Sequence, residues 1–346
     1  MENTRLRTSF GAAFPTTMEL TQITHEDDLN ILGESIPMGA SRRLDLGIAR
    51  LFTHSPVEVP IIIERSTVPG PTVLITAGIH GDEVNGVEVV RQVISHGINK
   101  PAKGTVICIP VVNVFGFISK SRFFPDGRDL NRVFPGTKKG SLASRVAHRF
   151  TTEVLPLADL CLDFHTGGAD RYNAAQVRIA PDDAAVKALA DVFHAPFTLV
   201  SPYIARSYRE TCGKLGIPLL LNESGMSMHL DKEMARRAVD GVIRLLSHLG
   251  MLAPGIRVPV PRHTNVLIDH HKWVRADRSG FLHVKVEMHQ YVAVGDVLCT
   301  ISDPYGSKSE PMMAQHAGYV INISRAPMVY QGDAIFNLAV QAPPGN

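Results

Sequence analysis

The feature that most constrains the fold is a regular alternation of apolar and amphipathic runs between residues 70 and 250. Nearly continuous stretches of Val, Ile and Leu are typical of strands that are buried on both faces of a sheet. Such stretches occur at Val73–Ile79, Thr105–Asn113, Ala158–Phe164, Phe197–Ser201 and Ile217–Asn222. Helices are predicted between and after them, over residues 83–96, 141–155, 182–193, 206–215 and 229–250. The alternation predicts an α/β fold with a mixed, mostly parallel sheet flanked by helices.

The composition changes after Gly255. Residues 256–346 contain many short β-like runs and no convincing helix. Two segments in this region, beginning RADRSG and MAQHAG, resemble each other, and each has a later Gly-Asp pair that is typical of a hairpin turn. We therefore predict two domains: an α/β domain over residues 1–255 and a smaller all-β, barrel-sandwich-like domain over residues 256–346. Residues 15–65 are predicted to add peripheral strands to the first domain.

The overall composition excludes several classes of protein. The chain has 346 residues, of which 45% are hydrophobic and 20% charged, and its formal net charge is +2. We expect no nucleic-acid partner, because there is no basic run or patch, and no membrane span, because no apolar run has the required length. Residues 1–20 lack the apolar core of a signal peptide. A cytoplasmic location is expected, with reduced core cysteines at Cys108, Cys161, Cys212 and Cys299.

The stretch GIHGDEVNG, residues 78–86, follows the first predicted strand of the α/β region. His80 and Glu83 stand three residues apart, and Gly78 and Gly81 permit a tight turn that would bring both side chains to one point. This pattern is compatible with half of a metal site. Taken alone, the pattern favours a helix N-terminus that has Asp82 and Glu83 in its first turn.

The stretch CLDFHTGG supplies a third ligand candidate, His165, near the end of another buried strand. Hydrolytic zinc sites usually have three protein ligands and leave a fourth position for water. Side-chain alternation places Asp163 on the same strand face as His165, where its carboxylate can orient the imidazole. The alternatives are a core histidine and an aspartate that forms a cap or a salt bridge.

Two further stretches contain polar side chains suited to hydrolysis. In PDGRDLNRVFPG, Arg132 can bind a carboxylate in a bidentate manner and Asn131 can add a hydrogen bond. Arg122, slightly upstream, can reach the same pocket. In IPLLLNESG, Glu223 follows an apolar strand and suits a general base beside an activated water. The alternatives are an ordinary surface loop and a salt bridge to a neighbouring helix.

The motifs HGDE, DLNR, DFH and NESG, in that order, resemble the succinylglutamate desuccinylase/aspartoacylase family of the zinc carboxypeptidase superfamily. The resemblance covers roughly residues 40–250, and the β-rich tail fits the family's two-domain build. It implies a zinc-carboxypeptidase-like catalytic domain that holds one Zn²⁺ per subunit through His80, Glu83 and His165.

The same resemblance implies the other site residues. Asn131 and Arg132 would bind the carboxylate of the substrate, and Glu223 would be the general base. Arg122 aligns best with the arginine that polarises the scissile carbonyl, and Arg128 is the competing candidate. The paired His270–His271 has no third ligand nearby in the sequence and is not expected to bind a metal.

The expected activity is zinc-dependent hydrolysis of the amide bond of a small N-acyl amino acid. The alternative is a zinc carboxypeptidase that acts on a short peptide, and a non-catalytic binding module is a third class. The β-rich tail would narrow the pocket entrance and so exclude long peptides. This feature and the absence of an export signal favour the hydrolase of small N-acyl amino acids over the carboxypeptidase. The acyl group and the amino acid stay open. Exposed β edges in the tail would allow a homo-oligomer.

Overall fold

A computed structural model describes residues 16–340 of the chain. Its helices are α1 (Thr17–Gln22), α2 (Val84–Ser95), α3 (Val114–Ser119), α4 (Leu142–Glu153), α5 (Ala184–Phe193), α6 (Tyr208–Lys214) and α7 (Lys232–His248). Strands of the first 255 residues are β1 (Leu29–Ile31), β2 (Glu34–Ile36), β3 (Ser41–Arg50), β4 (Pro56–Arg65), β5 (Thr72–Ala77), β6 (Thr105–Ile109), β7 (Leu160–Gly167), β8 (Arg171–Ile179), β9 (Phe197–Val200) and β10 (Leu219–Met226).

The remaining strands all lie in the C-terminal segment. They are β11 (Val266–Ile268), β12 (His271–Arg275), β13 (Gly280–Val284), β14 (Tyr291–Val292), β15 (Val297–Ser302), β16 (Ser309–Met313), β17 (Gly318–Ser324), β18 (Met328–Val329) and β19 (Ala334–Ala339). Single 3-10 turns lie at Leu130–Arg132 and Leu155–Leu157.

Within residues 16–340, thirteen strands form one mixed sheet, with β6, β5, β7 and β10 side by side at its centre. These four strands run parallel to one another. Both faces of β5 and β6 are buried throughout, which explains their unbroken apolar character. The antiparallel strands β4 and β8 flank the parallel centre, on β6 and β10 respectively. The predicted fold class is confirmed.

Side-chain alternation along β7 divides the core into two layers. Cys161 packs into one layer with residues from α4 and α6, whereas Leu160, Leu162 and Phe164 pack into the other with residues from α2, α5 and α7. Because side chains two apart share a strand face, Asp163 and His165 point to the same side as Cys161. The face covered by α4 and α6 therefore carries the polar residues of the site.

The predicted elements between residues 70 and 250 are present, with ends that differ by a few residues. The sequence did not predict α3 or β8, and β8 proves important because it borders β10. His165 and Glu223 lie inside β7 and β10, since these strands run on to Gly167 and Met226. The predicted apolar runs ended before these residues because polar side chains begin at the carboxyl end of each strand.

The C-terminal segment is built of strands, as expected. Four of them form a separate sheet in the order β16, β15, β13, β18, whereas β17 joins the main sheet beside β8. The domain boundary between residues 255 and 256 stays a prediction. Among residues 16–340, none of the helices combines the length and apolar character needed to cross a bilayer. Most of residues 1–20, where no signal peptide was expected, and residues 341–346 lie outside the described range.

Candidate metal centre and active site

The turn after β5 brings His80 and Glu83 together. Gly78 has a φ of +63°, a backbone conformation that side-chain-bearing residues rarely adopt. A Cβ at Gly81 would lie 1.9 Å from the carbonyl carbon of Gly116, so the turn packs directly on the backbone of α3. The helix α2 begins only at Val84, which leaves Glu83 at its N-cap without a side-chain capping bond. The Glu83 carboxylate is therefore available to the site.

His80, Glu83 and His165 converge in a buried cluster. Their ligand atoms all lie within 4.8 Å of one another, and within the described residues this is the one group of three or more such side chains suited to a metal ion. The Nδ1 atoms of His80 and His165 lie 2.7 Å from Oε1 and Oε2 of Glu83, respectively. Two imidazoles thus point at the same carboxylate, which is the His₂Glu donor set of hydrolytic zinc sites.

The outward nitrogen of each histidine faces a second carboxylate. His80 Nε2 lies 3.1 Å from Asp129 Oδ1, and His165 Nε2 lies 2.7 Å from Asp163 Oδ2. Asp163 also accepts a hydrogen bond from Thr76 Oγ1 at 2.8 Å. These carboxylates direct Nδ1 of each ring toward the cluster, as carboxylates behind metal-bound histidines do. The orienting role predicted for Asp163 agrees with this geometry.

Charge within the cluster is strongly coupled. Burial opposes ionisation of Glu83, yet the facing His80 and His165 lower the pKa of this carboxyl below its usual range. Burial likewise opposes protonation of His165, but Asp163 and Glu83 raise the pKa of its imidazole well above the ordinary value. The same balance, with Glu83 and Asp129 as partners, raises the pKa of His80. The charges of the carboxylates and imidazoles therefore stabilise one another within the buried cluster.

Glu223 lies on β10 beside His165, its Cα partner on β7. Its Oε2 accepts a hydrogen bond of 2.7 Å from Asn173 Nδ2, and Oδ1 of Asn173 accepts one of 2.6 Å from Asn322 Nδ2. Asn173 and Asn322 are buried Cα partners on β8 and β17. A chain of two amides, Asn173 on β8 and Asn322 from the C-terminal segment, thus fixes the Glu223 carboxylate.

The two arginine candidates differ in position. Arg122 donates from Nε and Nη2 to Asp129 Oδ2 at 3.0 and 2.8 Å, and its Nη1 lies 3.3 Å from Glu83 Oε1. The Arg128 side chain is 58% exposed and pairs with Asp126 at 3.7 Å, away from the cluster. Of the two, Arg122 is the one that lines the cavity above the cluster.

One cavity of about 230 Å³ is lined, among others, by His80, Glu83, Arg122, Asn131, Arg132, His165 and Glu223. Asn131 also accepts a hydrogen bond from the backbone N–H of Tyr208 at 2.8 Å, which ties the loop to the start of α6. The paired histidines lie elsewhere: His270 is exposed, and His271 contacts Asn337 at 3.2 Å.

The structure adds site residues that the sequence analysis did not select. Asp129 belongs to the DLNR motif, and that motif is the only sequence signal for it. Asn173, Arg209, Trp273 and Asn322 line the same cavity. These four come from four separate elements, β8, α6, β12 and β17, so only the tertiary fold brings them together. Asp82 has no capping role, and its buried Oδ1 has no hydrogen-bond partner among residues 16–340.

Comparison with solved structures supports the same fold. The product-bound ectoine utilization protein EutE (DoeB) from Ruegeria pomeroyi superposes with a TM-score of 0.77, at 24% identity, covering 92% of this chain and 100% of that one. A succinylglutamate desuccinylase/aspartoacylase from Rhodobacter sphaeroides has a TM-score of 0.74 at 25% identity, covering 86% and 94%.

Sequence comparison identifies the family. The N-alpha-acetyl-L-2,4-diaminobutyric acid deacetylase of Halomonas elongata is 29% identical over 299 residues, which are 82% of this chain and 86% of that enzyme. The model of the succinylglutamate desuccinylase/aspartoacylase catalytic domain matches residues 69–249, more than half of the chain. This interval contains the three clustered side chains, Glu223 and the Asn131–Arg132 loop. The chain therefore belongs to the succinylglutamate desuccinylase/aspartoacylase family.

Proposed function

We propose that the protein is a zinc-dependent hydrolase that cleaves the amide bond of a small N-acyl amino acid. One observation carries the proposal: a buried His₂Glu cluster, a carboxylate on the adjacent strand and an Asn-Arg pair line the same cavity. The name of the Halomonas elongata relative, a deacetylase of an N-acetylated amino acid, supports this reaction class.

The donor set fits zinc. Two imidazoles and one carboxylate converge, and the carboxylates behind both rings set the orientation that metal-ligating histidines require. His80, Glu83 and His165 would hold one ion per subunit. When bound, zinc supplies Lewis acidity for the attack of water on the amide carbonyl. The cluster of donor atoms lies deep in the cavity, whereas Arg132 lies at its exposed rim.

Glu223 acts as the general base and then as the general acid. Its carboxylate accepts a proton from water as the water oxygen bonds to the carbonyl carbon, and it returns the proton to the amide nitrogen as the C–N bond breaks. The hydrogen bond from Asn173 holds Oε2 in place during both steps. Arg122, fixed by Asp129 beside Glu83, donates N–H groups to the developing oxyanion.

Asn131 and Arg132 bind the substrate's carboxylate and so orient the amide over the cluster. The volume of the cavity favours a small substrate, because about 230 Å³ is below the usual range for drug-sized ligands, roughly 300–1,000 Å³. Trp273 and Asn322, both from the C-terminal segment, add to the cavity wall. A narrow cavity of this kind disfavours the alternative, a carboxypeptidase acting on peptides.

The test is a hydrolysis assay on zinc-loaded protein. We expect turnover of N-acetyl or N-succinyl amino acids, loss of turnover after chelation, and recovery on addition of zinc. Faster cleavage of dipeptides than of N-acyl amino acids would favour the carboxypeptidase, and full activity after verified metal removal would refute zinc dependence. A cytoplasmic location and a homo-oligomer stay predictions, which cell fractionation and light scattering would test.

A further inference from the structure

The strand β3 is an open edge of the main sheet. Within the described residues it is the last strand in the sheet order, and it pairs only with β4, in an antiparallel register that sets Leu44 opposite Ile61. Its ten residues contain no proline, and it lies at the opposite end of the sheet from the C-terminal segment. An edge strand of this length is a template for another strand unless something blocks it.

The open backbone groups of β3 lie at Arg43 and Asp45. The backbone N–H of Arg65 donates to the carbonyl oxygen of Ala40, so the even-numbered residues in the first part of β3 direct their backbone groups toward β4. The partner of Asp45 on β4 is Pro60, which has no N–H to donate, as this alternation requires. The odd-numbered residues therefore direct their N–H and C=O groups outward.

The open edge is bounded at both ends by side chains. The guanidinium of Arg42 donates to the carbonyl oxygen of Ser41 at 2.9 Å, and Arg149, on α4, donates to the carbonyl oxygen of Gly47. Between these two carbonyls, the outward backbone groups have no hydrogen-bond partner among residues 16–340. The stretch that can pair with another strand is therefore short, from residue 43 to residue 45.

The side chains beside these open groups carry opposite charges. Arg43 and Asp45 project from the same exposed face of β3, and Arg43 Nε lies 4.0 Å from Asp45 Oδ1, at the limit of an ion pair. If a second copy pairs antiparallel about a two-fold axis at Leu44, Arg43 of each chain lies opposite Asp45 of the other. An axis at Arg43 or at Asp45 would instead place like charges opposite each other. The charges therefore select one register.

The other terminal strands of the two larger sheets lack this complementarity. Charged side chains and prolines on edge strands usually prevent association. At the opposite end of the main sheet, β12 carries Lys272 and Arg275, which would repel a second copy. In the four-stranded sheet, β16 contains Pro311 and β18 has only two residues. Of these edges, β3 is the one whose charges attract a second copy of the chain.

We propose that the protein forms a two-fold homodimer in which β3 of one chain pairs antiparallel with β3 of its partner about Leu44. Each pairing of Arg43 with Asp45 exchanges two backbone hydrogen bonds and adds one ion pair between the side chains. The two main sheets then form one continuous sheet. None of the residues that line the active-site cavity lies on β3, so this inference is independent of the hydrolase function.

The first test reverses charges in the full chain and measures self-association by analytical ultracentrifugation. Arg43→Asp and Asp45→Arg each place like charges opposite each other at both pairs, so each should weaken dimerisation roughly 10- to 100-fold. An equimolar mixture of the two variants should dimerise as the wild type does, because one chain supplies two aspartates and the other two arginines. Native mass spectrometry identifies the mixed dimer by its mass, and its recovery shows that both variants are folded.

The matched control makes the same charge change elsewhere. Asp191→Arg alters an exposed side chain on α5, a helix that packs on the other layer of the core, and should leave dimerisation unchanged. A monomeric wild type would overturn the proposal. So would single variants that dimerise as tightly as the wild type, or a mixture that associates no more tightly than either variant alone.

Hydrogen exchange provides a readout without any substitution. The amides of Arg43 and Asp45 face solvent in the single chain and are hydrogen-bonded to the partner strand in the dimer. Their exchange should slow by about tenfold or more at concentrations at which the wild type dimerises, relative to a dilute sample, whereas the amides of β12 should not change. Equal exchange of the β3 amides in dimer and monomer would place the contact elsewhere and refute the proposal.

Discussion

Replacement of Asp163 by Asn should weaken zinc binding without disrupting the fold. The Asp163 carboxylate is 1% exposed and lies 2.7 Å from Nε2 of His165. Asparagine has nearly the same shape, so Thr76 and His165 keep a hydrogen-bonding partner. The change therefore removes the negative charge behind the imidazole of His165, and little else.

The magnitude follows from this contact. A hydrogen bond to a charged group contributes about 1.5–3 kcal/mol, and one between neutral groups about 0.5–1.5 kcal/mol. Asp163→Asn should thus cost about 1–1.5 kcal/mol, or about a tenfold loss of zinc affinity. Asp163→Ala also leaves the buried imidazole N–H of His165 unpaired. Its loss of zinc affinity should approach about 100-fold, the upper limit for removal of such a partner.

The pH dependence provides an independent check. Burial lowers the pKa of His165, but Asp163 and Glu83 raise it more strongly, so protons compete with zinc for the wild-type ring. Asp163→Asn weakens this competition. The difference in zinc affinity between wild type and variant should therefore shrink as the pH falls.

The assay is a zinc titration against a competing chelator, with circular dichroism to confirm folding. Asp159→Asn is the matched control, because Asp159 is an equally buried aspartate just before β7 that accepts from the backbone N–H of Thr72 at 2.9 Å, outside the cavity. Its zinc affinity should equal that of the wild type. If Asp163→Asn lowers zinc affinity less than twofold, or if Asp159→Asn lowers it as much as Asp163→Asn does, the orienting role of Asp163 is refuted.

The remaining predictions concern catalysis and stability. Glu223→Gln should keep zinc but lower kcat by about 10²–10⁴-fold, since the proton acceptor is lost. Arg132→Ala should raise KM for carboxylate-bearing amides by about tenfold or more, as expected for a charged contact. Asn322→Ala should lower kcat more than it changes KM, because Asn173 then holds Glu223 less firmly. Burial, with the charges of Arg237 and His263, lowers the pKa of His289 to about 4. His289 therefore binds fewer protons in the folded state than in the unfolded state, so it lowers the free energy of unfolding as the pH falls from about 6.5 to 4. His289→Asn should remove this loss, about 2–3 kcal/mol.

Each of these predictions has a direct check. Steady-state kinetics with metal analysis tests Glu223→Gln, and a nearly active, zinc-loaded variant excludes Glu223 as the base. Equal effects of Arg132→Ala on neutral and anionic amides would make the arginine structural. If Asn322→Ala raises KM by as large a factor as it lowers kcat, a positioning role for Asn322 is contradicted. Denaturant unfolding at several pH values tests the prediction for His289→Asn. Asparagine suits the positive φ of 70° at this position. Parallel curves of unfolding free energy against pH for wild type and variant would refute the assignment.

The three clustered side chains were predictable because each belongs to a local pattern. His80 and Glu83 share one glycine turn, and His165 lies near the carboxyl end of a buried strand whose alternation also placed Asp163. Arg122 and Arg128 were not separable by sequence, because only the fold shows that Asp129 binds Arg122 within the cavity.

The rest of the site depends on non-local pairing. β8 carries Asn173 and Arg178, and it lacks the unbroken apolar run that marks the parallel strands. Its register against β10 shifts by a bulge between Gln176 and Asn173, which lets residues of different parity line one cavity. Simple alternation could not predict that arrangement. The contact of Asn322 with Asn173 spans 149 residues and leaves no local trace in the sequence.

The most direct test of the account is X-ray diffraction from crystals of the zinc-loaded protein, with data on both sides of the zinc absorption edge. We predict one anomalous peak per chain, about 2.0–2.2 Å from Nδ1 of His80, Nδ1 of His165 and a carboxylate oxygen of Glu83. Absence of a peak between these three side chains, or a single peak elsewhere in the chain, would contradict the central claim that they form a catalytic zinc site.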